Sequence, residues 1–296
     1  MSNIDTLCFS SGGLYGFLII GCMKKLIEDE YIKLENIKKI VSTSAGSICA
    51  LFYILGYTNN EILKYIHSVD LENIMNESSI DNLLINFGLN DGEYLQNKFS
   101  EIINAKLNVT DITFKELYEK TNIEFCILVT NFTKSRQEIF SHIETPELLL
   151  ITALKITCCI PLIFKPILLN DNYYLDGALI SNIGLDICNP DTTLGFLINN
   201  EVENRKLESI NDLLLGMLNI VIHNLTCKNN LYKTILLKSE DDVNLFKFDK
   251  EVINKIIEIG YAKGTEFLIK EYKSQIKNLN LKIVKSVLDN IIKSLE

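Results

Sequence analysis

The sequence predicts an α/β fold built around a mainly parallel sheet. Short apolar runs of strand length alternate with segments whose apolar residues recur at helical spacing, the pattern of strands crossed over by helices. Two of the predicted strand-to-helix junctions, around residues 10–13 and 42–46, are made of glycine and other small residues. Of 296 residues, 47% are hydrophobic and 23% charged, with only 4 Pro, so the chain can fill a sizeable core and does not have a disordered composition.

The elements follow in order. Ile4 to Phe9 is an apolar run that ends in Ser10-Ser11-Gly12-Gly13, and Gly16 to Glu30 carries Phe17, Ile20, Met23, Leu26 and Ile27 at helical spacing. This reads as strand, glycine turn, helix. A second β-rich run, "KKIVST", leads into Ser44, and "AGSICALFYILG" reads as a buried helix ending near Gly56. Thr58 with Glu61, and Thr113 with Glu116, each form a capping-box pattern and open a helix. Residues 70–105 are polar with apolar islands and give no clear assignment. "IEFCILVTN" reads as a central strand, and Thr145-Pro146-Glu147 as a helix start with Pro at the first position. "PILLNDNYYLDGAL" reads as two short strands joined by Asn170-Asp171-Asn172, and "TTLGFLIN" as another strand. From about residue 206 the pattern is mostly helical, with strand-like "TILLK" and "VNLFKF" between. With no internal repeat or linker, one domain is expected.

The formal net charge of −9 gives little long-range attraction for nucleic acid, and anionic lipid headgroups gain little from it. Any membrane contact is therefore expected to be apolar and transient. Most of the 8 cysteines sit in apolar runs without Cys-x-x-Cys spacing, as expected of free thiols in a reducing compartment. The N-terminus lacks a signal-peptide pattern and no run of 18 apolar residues occurs, so an intracellular, cytoplasmic protein is expected, peripheral at membranes and without a transmembrane segment. Oligomeric state has no sequence signal.

Three short segments carry chemistry. Ser44 lies between Ser42 and Gly46, where a strand turning sharply into a helix needs small neighbours. It is either a nucleophile raised on that turn or a buried hydroxyl. Ser11-Gly12-Gly13-Leu14-Tyr15-Gly16 exposes backbone N–H groups that suit a phosphate or an oxyanion. Ser11 damages a dinucleotide fingerprint, and no Gly-Lys-Ser/Thr follows, so a nucleotide site ranks last. Asp176-Gly177-Ala178 follows a short strand and, by itself, is a turn. A serine nucleophile needs a base. His67, His142 and His223 do not sit in suitable loops, whereas a carboxylate serves if it is close and desolvated.

The glycine-rich turn, the Ser-x-Gly elbow and Asp-Gly-Ala, in that order, resemble the patatin-like phospholipase family. "TFKELYEKTNIEFCILVTNFTK" is similar to the family's helix and central strand after the elbow. "ALKITCCIPLIFKPILLNDNYYLDGAL" is similar to its Ala-x-x-x-Ser-x-x-x-Pro-x-x-Phe-x-Pro stretch, and "FDKEVINKIIEIGYAKG" to a helix near the domain's end. The similarity covers about residues 4–270, with the core motifs within 8–182. Residues 271–296 are expected as a helical extension packed on the same domain.

The resemblance implies a three-layer sandwich and a Ser–Asp dyad, with Ser44 as nucleophile and Asp176 as its base. Gly12 and Gly13 would form the oxyanion hole, Ser42 and Gly46 the elbow, and Gly16, Gly177 and Ala178 the rest of the motifs. The implied reaction is hydrolysis of acyl esters of phospholipids or related glycerolipids through an acyl-enzyme, with no metal or cofactor. Three positions depart from the family pattern: Ser11 and Ser42 stand for Gly, and Tyr15 for a basic residue. They motivate the alternative, a silent relative that binds lipid or a protein partner. The acyl chain would lie near Cys49, Leu51 and Phe52, "CCIPLIF" or "IDNLLINFGL", with residues 80–89 as a lid or lipid-facing surface.

Overall fold

A computed structural model describes residues 3–70, 73, 80–199, 213, 216–217, 220, 232–238 and 250–295. The first half runs β1 (Thr6–Phe9), α1 (Phe17–Glu28), β2 (Lys39–Thr43), α2 (Ala45–Ile54), α3 (Asn59–Ser68), α4 (Ile80–Asn86), β3 (Gly88–Asn90), α5 (Glu93–Leu107) and α6 (Phe114–Thr121). The second half runs β4 (Glu124–Asn131), β5 (Arg136–Phe140), α7 (Leu150–Thr157), β6 (Leu162–Phe164), β7 (Ile167–Leu169), β8 (Asn172–Asp176), β9 (Thr193–Ile198), β10 (Lys233–Leu237) and α8 (Lys250–Leu295). Strands β10, β9, β1, β2 and β4 are parallel neighbours in that order, while β5 and β8 join β4 antiparallel and β7 joins β8. The expected α/β architecture with a mainly parallel sheet flanked by helices is what is found.

Alternation along the strands explains the core. Leu7, Phe9, Ile40, Ile127, Val129, Leu194 and Phe196 face the large core with α1, α2 and α7, while Cys8, Val41, Cys126 and Leu128 face a smaller cluster with Leu185. Helix α8 packs on α1 through glycine: a Cβ on Gly21 would run into the Ile257 carbonyl, and one on Gly260 into the Leu18 carbonyl. The two backbones therefore touch directly, and burial continues along α8 to Leu268, 2% exposed. Beyond it, residues 272–279 of the helix are exposed.

One topological detail places the site. Ile127 and Leu128 pair with both β2 and β5, so those two strands lie on opposite sides of β4. Val129 to Asn131 pair with both β5 and β8, so β8 lies on the side of β2. Leu128 is opposite Thr43 and Val129 is opposite Asp176. Strand β8 thus enters the lane beside β4 at the level where β2 leaves it. The β7–β8 turn is a two-residue loop with Asn170 and Asp171 both at positive φ, 47° and 60°, as a tight hairpin requires.

Both capping boxes form, at Thr58–Glu61 and Thr113–Glu116. The expected helix start at Thr145-Pro146 is corrected: α7 begins at Leu150. Thr113 bridges Leu149, and the Leu150 N–H donates to the Ile112 carbonyl, which holds Leu149 extended directly ahead of the helix. The unassigned stretch 70–105 contains α4, β3 and most of α5. "VNLFKF" lies outside the described residues.

Candidate active site

Strand β2 ends at Thr43 and α2 begins at Ala45, leaving Ser44 alone to make the turn. Its backbone sits at φ 50°, ψ −125°, a conformation L residues avoid and that costs of order 1–3 kcal/mol. The surroundings hold it there. The Ser44 N–H donates to Thr157 Oγ1 at 2.9 Å, and Thr157 in turn donates to the Leu128 carbonyl at 2.8 Å. A Cβ on Gly46 would stand 2.5 Å from the Ser10 carbonyl oxygen, so only glycine lets α2 come this close to the end of β1.

The Ser44 hydroxyl donates to Asp176 Oδ2 at 2.6 Å, across 132 positions of chain. The Ala178 N–H donates to the other carboxylate oxygen at 2.9 Å. Asp176 is 2% exposed and Ser44 6%. Burial pushes the Asp176 carboxyl up to about 7, against the opposing pull of the Ser44 hydroxyl and the Ala178 amide. That value suits a base working near neutral pH. Gly177 closes the loop: a side chain there would collide with the Leu128 carbonyl.

The glycine turn lies on the same rim, where a Cβ on Gly16 would sit 3.1 Å from that of Ala45, the residue after Ser44. Neither the Gly12 nor the Gly13 N–H meets an acceptor among the described residues. Gly13 has φ +53° and open space where a side chain would be. Two unspent amides beside a hydroxyl–carboxylate pair can receive negative charge on a carbonyl oxygen under attack.

Two of the three departures from the family pattern have buried partners. Ser42, fully buried, shares a hydrogen bond of 2.8 Å with Ser47 one turn into α2. Ser11 donates through its hydroxyl to Asn182 Oδ1 and through its N–H to the Asn182 carbonyl, tying the glycine turn to the loop after Asp176. Tyr15 is 4% exposed and part of the large core.

Thr157, Ser47 and Asn182 escaped the sequence reading. Thr157 had a signal, since Ala153, Thr157 and Pro161 keep the Ala-x-x-x-Ser-x-x-x-Pro spacing with Thr for Ser. Cys158 lies beside Ser44 with its thiol pushed well up by burial. Cys49, Leu51 and Phe52 are core residues, while Leu84, Ile85 and Phe87 are exposed. All seven described cysteines are free.

The described histidines lie elsewhere. His67 pairs with Asn254 at 2.7 Å. His142 stacks on Tyr118 after β5, which runs away from the Ser44 end. His223 is outside the described residues. Among the described residues, no cluster of three His, Cys, Asp or Glu is placed to hold a metal, and no helix is long and apolar enough to cross a membrane.

Comparison with known proteins identifies the family. The family model for patatin-like phospholipase matches residues 7–188. Protein R571 of Acanthamoeba polyphaga mimivirus is 33% identical over 207 residues, 69% of this chain and 68% of that protein. "Probable lipid hydrolase 463L" of Invertebrate iridescent virus 6 is 32% identical over 187 residues, 62% of each chain. Among solved structures, VipD from Legionella pneumophila superposes with a TM-score of 0.63 at 15% identity, over 90% of this chain and 67% of that one. ExoU of Pseudomonas aeruginosa, in its complex with SpcU, gives 0.52 at 17%, over 91% of this chain and 52% of that one. At such identities the structural likeness speaks for the fold. The chain belongs to the patatin-like phospholipase family, a family of lipid hydrolases.

Proposed function

We propose that the protein is a serine lipid acyl hydrolase that cleaves fatty-acyl esters of phospholipids or related glycerolipids. The observation that carries this reading is the 2.6 Å hydrogen bond from the Ser44 hydroxyl to a buried Asp176 carboxylate. Asp176 takes the Ser44 proton as the oxygen attacks the ester carbonyl, and the Gly12 and Gly13 amides receive the oxyanion. The proton passes to the leaving alcohol and an acyl-Ser44 ester remains. Asp176 then deprotonates a water that attacks this ester, the bond from the acyl carbon to Ser44 Oγ breaks as Asp176 returns the proton to that oxygen, and the fatty acid departs. The backbone donors and the dyad need no metal or cofactor for these steps. The relative named as a probable lipid hydrolase supports the substrate class.

The silent-relative reading is weakened by the retention of both dyad residues and by the buried partners of Ser11 and Ser42. Incubation with a mixed phospholipid and glycerolipid extract, read by mass spectrometry of released fatty acid, separates the two. Wild type is expected to release fatty acid, and Ser44→Ala at least about a thousandfold less. Release that survives Ser44→Ala, or no release by any form, would remove the proposal.

A further inference from the structure

We infer that Thr157 is a positioning residue, whose hydroxyl holds the Ser44 backbone in the conformation that keeps Ser44 Oγ on Asp176; this rests on the lipid hydrolase reading. Residue 44 is gripped from both ends. Its carbonyl accepts the Ser47 N–H at 2.8 Å as α2 begins, and its own N–H donates to Thr157 Oγ1 at 2.9 Å. Between these two bonds the backbone stands at φ 50°, ψ −125°, which an unrestrained L residue leaves. The Thr157 hydroxyl accepts from Ser44 and donates to the Leu128 carbonyl at 2.8 Å, so it works as acceptor and donor at once.

A threonine inside a helix commonly returns its hydroxyl to the carbonyl four residues back, which in α7 belongs to Ala153. Thr157 instead reaches out of its helix. One bond goes to β4, 29 positions away in the chain, and the other to the turn that carries Ser44, 113 positions away. Thr157 is fully buried, so water does not stand in for either bond when the hydroxyl is removed.

Asp176 is fixed by other groups. Its N–H donates to the Cys159 carbonyl at 2.9 Å, its carbonyl accepts from Thr130 Oγ1 at 2.9 Å, and the Ala178 N–H holds Oδ1. Loss of the Thr157 hydroxyl therefore strands the Ser44 N–H, at a residue 6% exposed, while Asp176 keeps its place. Residue 44 then relaxes, its Oγ leaves the carboxylate, and Asp176 retains one side-chain donor of two. The Ser44 bond draws the Asp176 titration down against burial, so its removal lifts that titration above about 7. The thiols of Cys158 and Cys159, the titratable groups set against Asp176, stay protonated in that range because burial pushes both up, that of Cys159 to about 12.

The test uses the full chain and a soluble short-chain ester, p-nitrophenyl butyrate. Thr157→Val keeps the shape of the side chain and removes its hydroxyl. It is expected to lower kcat about thirtyfold with KM within about twofold, and to move the midpoint of kcat/KM against pH above about 7. Thr157→Ser, which can make both bonds, is expected to recover kcat to within about threefold of wild type, with the wild-type midpoint. Circular dichroism establishes that each variant is folded at the assay temperature. Should Thr157→Val unfold, Thr157→Ala takes its place, since the smaller side chain leaves room for a water at the two stranded backbone groups. Fluorophosphonate labelling of Ser44 gives the same comparison without turnover, about tenfold slower in the hydroxyl-free variant and recovered in Thr157→Ser. Wild-type kcat or labelling rate without the hydroxyl, a loss that Thr157→Ser does not recover, or a loss with an unmoved pH midpoint would overturn the inference. A wild type that hydrolyses no ester yet labels in the expected pattern would sink the hydrolase reading and leave the positioning role standing.

Discussion

Asp176 is held where a charge is costly. It is 2% exposed, and two donors only partly replace the water it has lost, so its carboxyl titrates near 7. The folded state therefore binds this proton more tightly than the unfolded chain does. Stability from this group falls as pH rises from the ordinary carboxylate value of about 4 to about 7, and is flat above. Under the proposed mechanism activity is expected to run the other way, because Asp176 must be ionised to take the Ser44 proton. Asp176→Asn is expected to stabilise the fold at pH 8 by about 1–4 kcal/mol, with the gain vanishing near pH 4, while hydrolysis is lost. Urea unfolding at the two pH values checks this, and a destabilised Asn variant at pH 8 would mean that the carboxylate is worth more to the fold than its burial costs. At this scale the sequence pointed to the residues that the fold brings together, Ser44 and Asp176, where residue types cluster locally. It was silent on Ser47 and Asn182, whose hydrogen bonds to Ser42 and Ser11 residue type alone does not announce; Ser11 and Asn182 are 171 positions apart. Thr157 was marked only by the Ala153–Thr157–Pro161 spacing.

The Ser44–Asp176 pair depends on one strand handing its lane to another. Strand β2 ends because Ser44 must turn, and β8 then pairs with the same side of β4, which puts Asp176 next to the vacated position. The individual strands were legible as apolar runs with turn residues between them. Their pairing was not, since a strand's period says which face is buried and nothing about its neighbour. Strand β5, "RQEIF", has a largely exposed start and lacks the apolar run that marks β4. The Pro146 signal lost to backbone pairing between residues 112–114 and 148–150, a tertiary contact that local propensity cannot weigh. Helix α4 leaves Leu84 and Ile85 exposed, at 74% and 73%. If it covers the acyl slot as a lid, Leu83→Ser with Leu84→Ser is expected to slow hydrolysis of vesicle lipid roughly three- to tenfold, with vesicle binding and soluble-ester hydrolysis retained. Equal rates on both substrates would assign α4 no such role.

At the scale of the whole molecule, the order of motifs along the chain carried more than composition did. Charge and hydrophobicity only placed the protein among folded, acidic chains. The order glycine turn, elbow, central strand, Asp-Gly-Ala becomes, in the fold, a single rim at one end of a mainly parallel sheet. The matched family region, residues 7–188, ends after that rim is complete, so β9, β10 and α8 serve to back the sheet and core. What the whole fold accomplishes is to bring a hydroxyl, a desolvated carboxylate and two free amides to that rim. Fluorophosphonate labelling with peptide mapping tests this most directly. A single adduct on Ser44 is predicted, absent from Ser44→Ala, slowed about a hundredfold or more in Asp176→Asn, and forming faster as pH rises through about 7. An adduct on another residue, or labelling of Ser44→Ala at the wild-type rate, would contradict the account.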